Sequence, residues 1–354
     1  MVSCAPLGCC DLVYATVCVV ANRPSDSRTP SLLPAFGRAV PFARTEDRNQ
    51  EWLITMSGTI EKVLFVGLGA MGEPMAALLA PGWDLRVNDV SAERTSEVAS
   101  TIGATAVANV GEAASDVDAV VLMLPNSRIV EDLLRGTLFA SLRPGTLIID
   151  MSSSRPESTQ ILASEADALG LSYVDAPVSG GRARALTGEL AIMVGGEGDA
   201  KRRARPILET LGGSVVDTGA SGTGHAMKAL NNLLSATGLL AACEVLVAGS
   251  RFGLDPQVML DVLNTSTGRN HATEVKMAKF VLSRSFDAGF ALDLMVKDLR
   301  TAAELIDGAF PEPSVTAATV TAWTNAQTFL NDPRADHTAI ARWVESHDHV
   351  EAAI

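Results

Sequence analysis

From residue 62 onward, short and almost uniformly apolar runs alternate with longer stretches of mixed composition. Residues 62–66, 85–88, 118–124 and 146–150 read as strands, most of them near-continuous apolar runs as strands buried on both faces are. Between them, 73–80, 127–135 and 157–169 have helical composition. Strand and helix alternating at this spacing predict a doubly wound parallel sheet, with ligands beyond the carboxyl ends of its strands. The loops at 124–126 and 152–153 are therefore expected to line a ligand site. From about Thr223 the strand pattern stops, and apolar positions recur at helical spacing through 258–263, 290–306 and 315–329. This predicts an all-α C-terminal domain joined to the sheet by one long interdomain helix. Residues 1–58 match neither pattern, so the expected division is 1–58, 59–221 and 222–348.

The apolar stretch 12–21 has the length of a signal-peptide core, but no basic residue precedes it and Asp11 opens it. Met56 has the setting of a natural start, with six residues leading into the first strand. The segment before it reads as a mis-assigned start or a disordered leader.

Chemistry first enters directly after that strand, at Gly67-Leu68-Gly69-Ala70-Met71-Gly72. Strand, glycine turn and helix stand in the order of the dinucleotide fingerprint of a Rossmann domain. Gly67 permits the tight turn, Gly69 lets the backbone approach a pyrophosphate, and Gly72 lets helix pack closely on strand. The helix N-terminus offers its free N–H groups to the phosphates. The second strand runs into Asp89, which lies 22 residues beyond Gly67, where a carboxylate accepts from ribose hydroxyls and repels a 2′-phosphate. NAD is the expected cofactor, with NADP left open by the nearby Arg94.

Composition narrows the alternatives. Of the 354 residues 47% are hydrophobic and 19% charged, an ordinary globular balance, and the net charge of −13 argues against a nucleic-acid partner. No run amounts to an uninterrupted membrane span, because Asn231, Asn232, Cys243 and Glu244 break 230–248. A cytoplasmic protein without a membrane partner is expected. Cys4, Cys9, Cys10 and Cys18 precede the first domain, and Cys243 reads as a buried, inert thiol. His347-Asp348-His349 has no spacing that suits a helix face, and no metal is expected.

Two further segments carry chemistry. Ser179-Gly180-Gly181 is a turn rich in N–H donors with one hydroxyl, which either grips a carboxylate or is a plain loop. On the helix opened by Gly222-Thr223-Gly224, Lys228 and Asn232 are four apart and share a face, so they can converge on one substrate atom. Burying a lysine on an apolar helix lowers its pKa, which general acid–base work near neutral pH requires. His225, one turn earlier, reads as a polar residue near the helix start.

With Leu294-Met295-Val296-Lys297-Asp298-Leu299 these motifs stand in the order of the beta-hydroxyacid dehydrogenase family, which the chain resembles from about residue 60 to 345. The resemblance is to the 3-hydroxyisobutyrate dehydrogenase and tartronate semialdehyde reductase type. It implies that Lys228 is the catalytic acid–base, Asn232 its substrate-orienting partner, and Ser179, Gly180 and Gly181 the carboxylate site. It implies further that Lys297 approaches the nicotinamide end, and that Leu124, Pro125 and Ser153 lie around the cofactor with Gly67, Gly69, Ala70, Met71, Gly72 and Asp89. The reaction implied is oxidation of a 3-hydroxy acid to its semialdehyde, or the reverse, in a homodimer or homotetramer with its site in the interdomain cleft.

The chain departs from the family at Arg182 and Arg184, which either meet a second anionic group on the substrate or point to solvent. The segment 266–271 also differs from the aromatic-bearing version of valine-pathway enzymes. An imine reductase of related fold is the first alternative, disfavoured because those proteins usually place Asp or Tyr where Lys228 stands. A non-catalytic dinucleotide-binding module is the second, disfavoured by the presence of Lys228, Asn232 and Lys297 together. A decarboxylating enzyme of the 6-phosphogluconate type would need a longer helical domain.

Overall fold

Strand β1 (Lys62–Val66) shows why its run is apolar at every position after Lys62: Val63 and Phe65 enter one hydrophobic core, Leu64 and Val66 another. Side chains alternate across a strand, so a sheet covered on both faces needs apolar residues at odd and even positions alike. The same split recurs in β4 (Ala119–Leu122) and β5 (Leu147–Asp150). The structure is a computed structural model that describes residues 60–306, 309–310 and 314–347. The leader reading, its four cysteines, Asp348 and His349 lie outside those residues.

Nine strands form one sheet in the order β3-β2-β1-β4-β5-β6-β8-β7, with β9 beside β8. The added strands are β2 (Asp84–Asn88), β3 (Thr105–Ala106), β6 (Ser172–Asp175), β7 (Val178–Ser179), β8 (Ala191–Gly196) and β9 (Ser214–Gly219). The first six in spatial order are mutually parallel, as the doubly wound prediction requires. Beyond β6 the sheet is mixed, because β8 pairs β6 antiparallel. A parallel return needs a full crossover. Here β7 and the short helix Gly181–Thr187 occupy the connection and turn the chain back.

The C-terminal part is helical. The helix Thr223–Arg251 packs Leu239, Cys243 and Leu246 against Leu299, Trp323 and Ile340. By length and composition this helix is apolar enough to cross a membrane; in the fold its apolar face serves that core. Cys243 is fully buried, which pushes its thiol up to about 12 and leaves it unreactive at neutral pH. An eleven-residue π-helical segment, Ala272–Leu282, has no counterpart in the sequence prediction. His347 donates from Nδ1 to the Trp343 carbonyl at 2.8 Å and stacks edge-on against its ring.

Candidate active site

The glycine turn is fixed by close packing. Gly67 has φ +101°, and a Cβ there would lie 2.3 Å from the Met123 carbonyl oxygen. A Cβ on Gly72 would lie 1.9 Å from the Gly67 carbonyl oxygen, so the helix Gly72–Leu79 can sit against the turn only without one. Gly69 is the opposite case, since an added Cβ would meet nothing within 4 Å. The turn thus offers a bare backbone face, beside a helix whose first residue has no side-chain cap. These features fit a pyrophosphate.

Asp89 stands at the end of β2 and accepts from Leu68 N at 2.8 Å and Ser91 N at 3.0 Å, one bond on each oxygen. Each oxygen keeps a lone pair for a ribose hydroxyl. Arg94 is held by Glu73 at 2.7 Å and by the Leu68 carbonyl, so its guanidinium is committed to the turn. Glu73, whose charge would repel phosphate, is balanced by the same contact.

A cavity of about 370 Å³ opens from this turn. It collects Gly69, Ala70, Met71 and Gly72 with Leu124, Pro125 and Ser153 from the ends of β4 and β5. Its far wall carries Ser179, Gly180 and Gly181, where both glycines have positive φ, and Lys228. Five segments far apart in sequence therefore meet in one space. Gly67 and Asp89 shape and flank it without lining it.

Lys228 is 9% exposed, and among the described residues nothing accepts a hydrogen bond from its Nζ. Burial first, and the Lys297 charge second, hold its pKa below that of an ordinary lysine, while Asp298 pulls the other way. Asn232 does not line the cavity with it. Its Nδ2 donates to Asp298 at 2.6 Å, and its Oδ1 accepts from Asn231 at 3.2 Å. Lys297 donates to the carbonyls of Ser153 at 2.6 Å and Pro125 at 3.4 Å, fastening the strand-end loops to the helix Leu292–Ile306.

The hub of this end is Asp298, which lies in the Leu294–Leu299 motif without a role expected for it. It is 3% exposed, accepts from Asn232 and from Ser153 Oγ at 2.8 Å, and forms an ion pair with Lys297 at 3.2 Å. It is the negative charge that two lysines share. A second unforeseen network lies behind the helix start. His225 is buried, donates from Nε2 to the Ser152 carbonyl at 3.0 Å, and has Thr159 Oγ1 2.8 Å from Nδ1. Its backbone N–H, and that of Gly222, donate to Asp175. The loop beside the cavity and the helix that carries Lys228 are thereby held in register. A histidine three residues before the lysine was the one available signal.

The chain matches two family models. One, over residues 62–219, is described as the NAD binding domain of 6-phosphogluconate dehydrogenase. The other, over 222–344, is described as NAD-binding of NADP-dependent 3-hydroxyisobutyrate dehydrogenase. The chain is similar to 2-(hydroxymethyl)glutarate dehydrogenase of Eubacterium barkeri, 40% identical over 73% of this chain and 87% of that one. It is similar to NAD-dependent L-serine dehydrogenase of Pseudomonas aeruginosa, 36% identical over 69% and 85%. Among solved structures it resembles Mycobacterium tuberculosis 3-hydroxyisobutyrate dehydrogenase, determined with L-serine. The TM-score there is 0.73 at 30% identity, covering 80% of this chain and 99% of that one.

Proposed function

The chain belongs to the beta-hydroxyacid dehydrogenase family, a family of enzymes that bind NAD(P), and from that membership we propose that it oxidises a 3-hydroxy acid to its semialdehyde with Lys228 as proton acceptor. The observation that carries the reading is the position of Lys228. It is a buried amine of lowered pKa, in the cavity wall between the glycine turn and Ser179–Gly181. Relatives named for 2-(hydroxymethyl)glutarate and for L-serine both act on compounds with a hydroxyl β to a carboxylate.

When bound, oxidised nicotinamide dinucleotide supplies the hydride acceptor. Ser179, Gly180 and Gly181 hold the substrate carboxylate through the hydroxyl and backbone N–H groups of their turn. Neutral Lys228 takes the proton of the substrate hydroxyl as the carbinol C–H pair leaves, so the carbon becomes a carbonyl and the amine an ammonium. Asp298 stabilises that ammonium, while Lys297 keeps it acidic enough to release its proton afterwards. The reverse reaction uses the same groups, with ammonium as donor. Asn232 acts through Asp298, which it orients.

A panel of matched acids tests the reading by NADH formation at 340 nm. 3-Hydroxyisobutyrate or a homologue carrying the same hydroxymethyl group is expected to be oxidised, and lactate and 2-hydroxyisobutyrate are not. Turnover confined to 2-hydroxy acids would overturn it.

In this reading Asp89 selects NAD over NADP by accepting from the ribose hydroxyls. Asp89→Asn is expected to weaken NADH binding about 10-fold, on the scale of one hydrogen bond to a charged group, and NADPH binding much less. Calorimetric titration of both nucleotides measures it. Equal losses would confine Asp89 to anchoring Leu68 and Ser91.

A further inference from the structure

Lys276, on the π-helical segment, is 8% exposed, yet among the described residues its ammonium makes a single hydrogen bond, to Ser235 Oγ at 3.2 Å. An ammonium has three donors, and burying it with one neutral partner is unfavourable. It does not line the cavity, but three observations set it just behind the substrate end of the cavity wall. Ser235 follows Lys228 by two helical turns on the same helix, so both project from one face. Asp336, whose charge acts on Lys276, receives Gly289 N at 2.9 Å and Phe290 N at 3.1 Å, and both residues belong to the cavity wall. The Lys228 charge also acts directly on Lys276.

Arg184 converges from the other side. Its stem lies over Gly180, where a Cβ would come within 2.7 Å of the arginine Cδ. Its charge and that of Lys276 both act on His271. Burial and the Lys228 charge bring the Lys276 ammonium down to about 8, so it is still mostly a cation at pH 7. One end of the site therefore gathers Lys228, Lys276 and Arg184 close to the turn that takes a single carboxylate. Asp298 and Asp336 offset part of that charge, but among the described residues neither bonds to Lys276 or Arg184, whose donors stay open to an anion beyond the single carboxylate.

We propose that the substrate is a dianion, whose second acidic group is received between Lys276, with Ser235, and Arg184. This rests on the 3-hydroxy acid reading and narrows it to acids bearing a further carboxylate, sulfonate or phosphate. The dianion repairs what the free protein leaves unfavourable, giving Lys276 charge-assisted partners and separating it electrostatically from Lys228.

Two hydroxy acids that share one reacting end form the test. 3-Hydroxyisobutyrate ends in a methyl group, and 2-(hydroxymethyl)glutarate continues to a second carboxylate. Wild-type enzyme is expected to favour the dianion, through KM. Lys276→Met is expected to lower kcat/KM for the dianion by about 10- to 100-fold, the range of one or two hydrogen bonds to a charged group. The same change leaves the monoanion within about 2-fold. Arg184→Ala gives a smaller loss of the same selectivity, because Arg184 stands at the exposed rim. Equal losses for both acids, or a wild-type preference for the monoanion, would overturn the proposal.

Binding without turnover separates this outcome from failure of the reaction reading. With NAD+ bound, 2-methylglutarate is expected to bind wild-type protein more tightly than isobutyrate does, and Lys276→Met to abolish only that advantage. If the advantage is present but neither hydroxy acid is oxidised, the subsite stands and the reaction falls. If oxidation proceeds with no advantage, the subsite falls alone. Lys276→Met is also expected to melt no lower than wild type, since it removes an under-partnered buried cation; a large drop would mark Lys276 as structural and count against the proposal.

Discussion

Replacing Lys228 by alanine is expected to lower kcat by roughly 10²- to 10⁴-fold, the usual contribution of a positioned acid–base, while NADH binds as before. In the proposed reading the nucleotide is held by the glycine turn and the strand-end loops, which Lys228 does not hold: among the described residues it donates no hydrogen bond. The wild-type rate of oxidation is expected to rise with pH as Lys228 loses its proton, with its inflection below the ordinary lysine value. Burial and Lys297 set that direction against the pull of Asp298. The rate of reduction falls over the same range. In Lys228→Ala both limbs disappear. Removing the Lys297 charge, as in Lys297→Met, moves the wild-type inflection upward, because one of the two depressing causes is gone. Stopped-flow and steady-state profiles read these effects. Lys228→Met supplies the folding control, because it fills the same volume without a buried amine and is expected to melt no lower than wild type. A Lys228→Ala enzyme within 10-fold of wild type would remove the residue from proton transfer.

Asp298→Ala is expected to produce the largest loss of stability, about 3–5 kcal/mol, the range seen when one member of a buried charged network is removed. The carboxylate takes Asn232 Nδ2, Ser153 Oγ and Lys297 Nζ, and its charge faces Lys228. Alanine leaves a buried amide and a hydroxyl without an acceptor and two lysines without a counter-charge. Denaturant titration gives the free energy. A loss under about 1 kcal/mol, typical of an exposed ion pair, would show that Asp298 is not the hub of the site. Asp298→Asn keeps an acceptor for Ser153 but loses the charge and turns an N–H donor toward the Asn232 amide, so it should fold better than alanine and still turn over poorly.

The parallel sheet was legible because both of its faces are covered. β1, β4 and β5 each send alternate side chains into two cores, and the sequence records this as unbroken apolar runs. The glycine turn was legible because Gly67 and Gly72 answer to local backbone clashes, which leave no latitude in residue type. Lys228 stood out as the one lysine on an otherwise apolar helix. Partners at long range left no such trace. Asp298 meets Asn232 across 66 residues and Ser153 across 145, and no local pattern announces a carboxylate that will serve three separate segments. Asn232 shares a helix face with Lys228, as its spacing requires, but spacing does not reveal that Asp298 will claim its amide. The antiparallel turn at β8 follows from what fills the connection after β6, and the π-helical segment that bears Lys276 lacks the 3.6-residue period by which helices are read.

Hydride transfer from a 3-hydroxy acid is tested most directly with substrate deuterated at its hydroxyl-bearing carbon. After a single turnover with NAD+, the nucleotide is analysed by mass and by proton resonance of its nicotinamide ring. Deuterium is expected at nicotinamide C4, with the semialdehyde recovered in equal amount and neither formed by Lys228→Ala on the same timescale. Oxidised nucleotide with the label still in the intact acid, or label delivered equally well without Lys228, would contradict the assignment of this site.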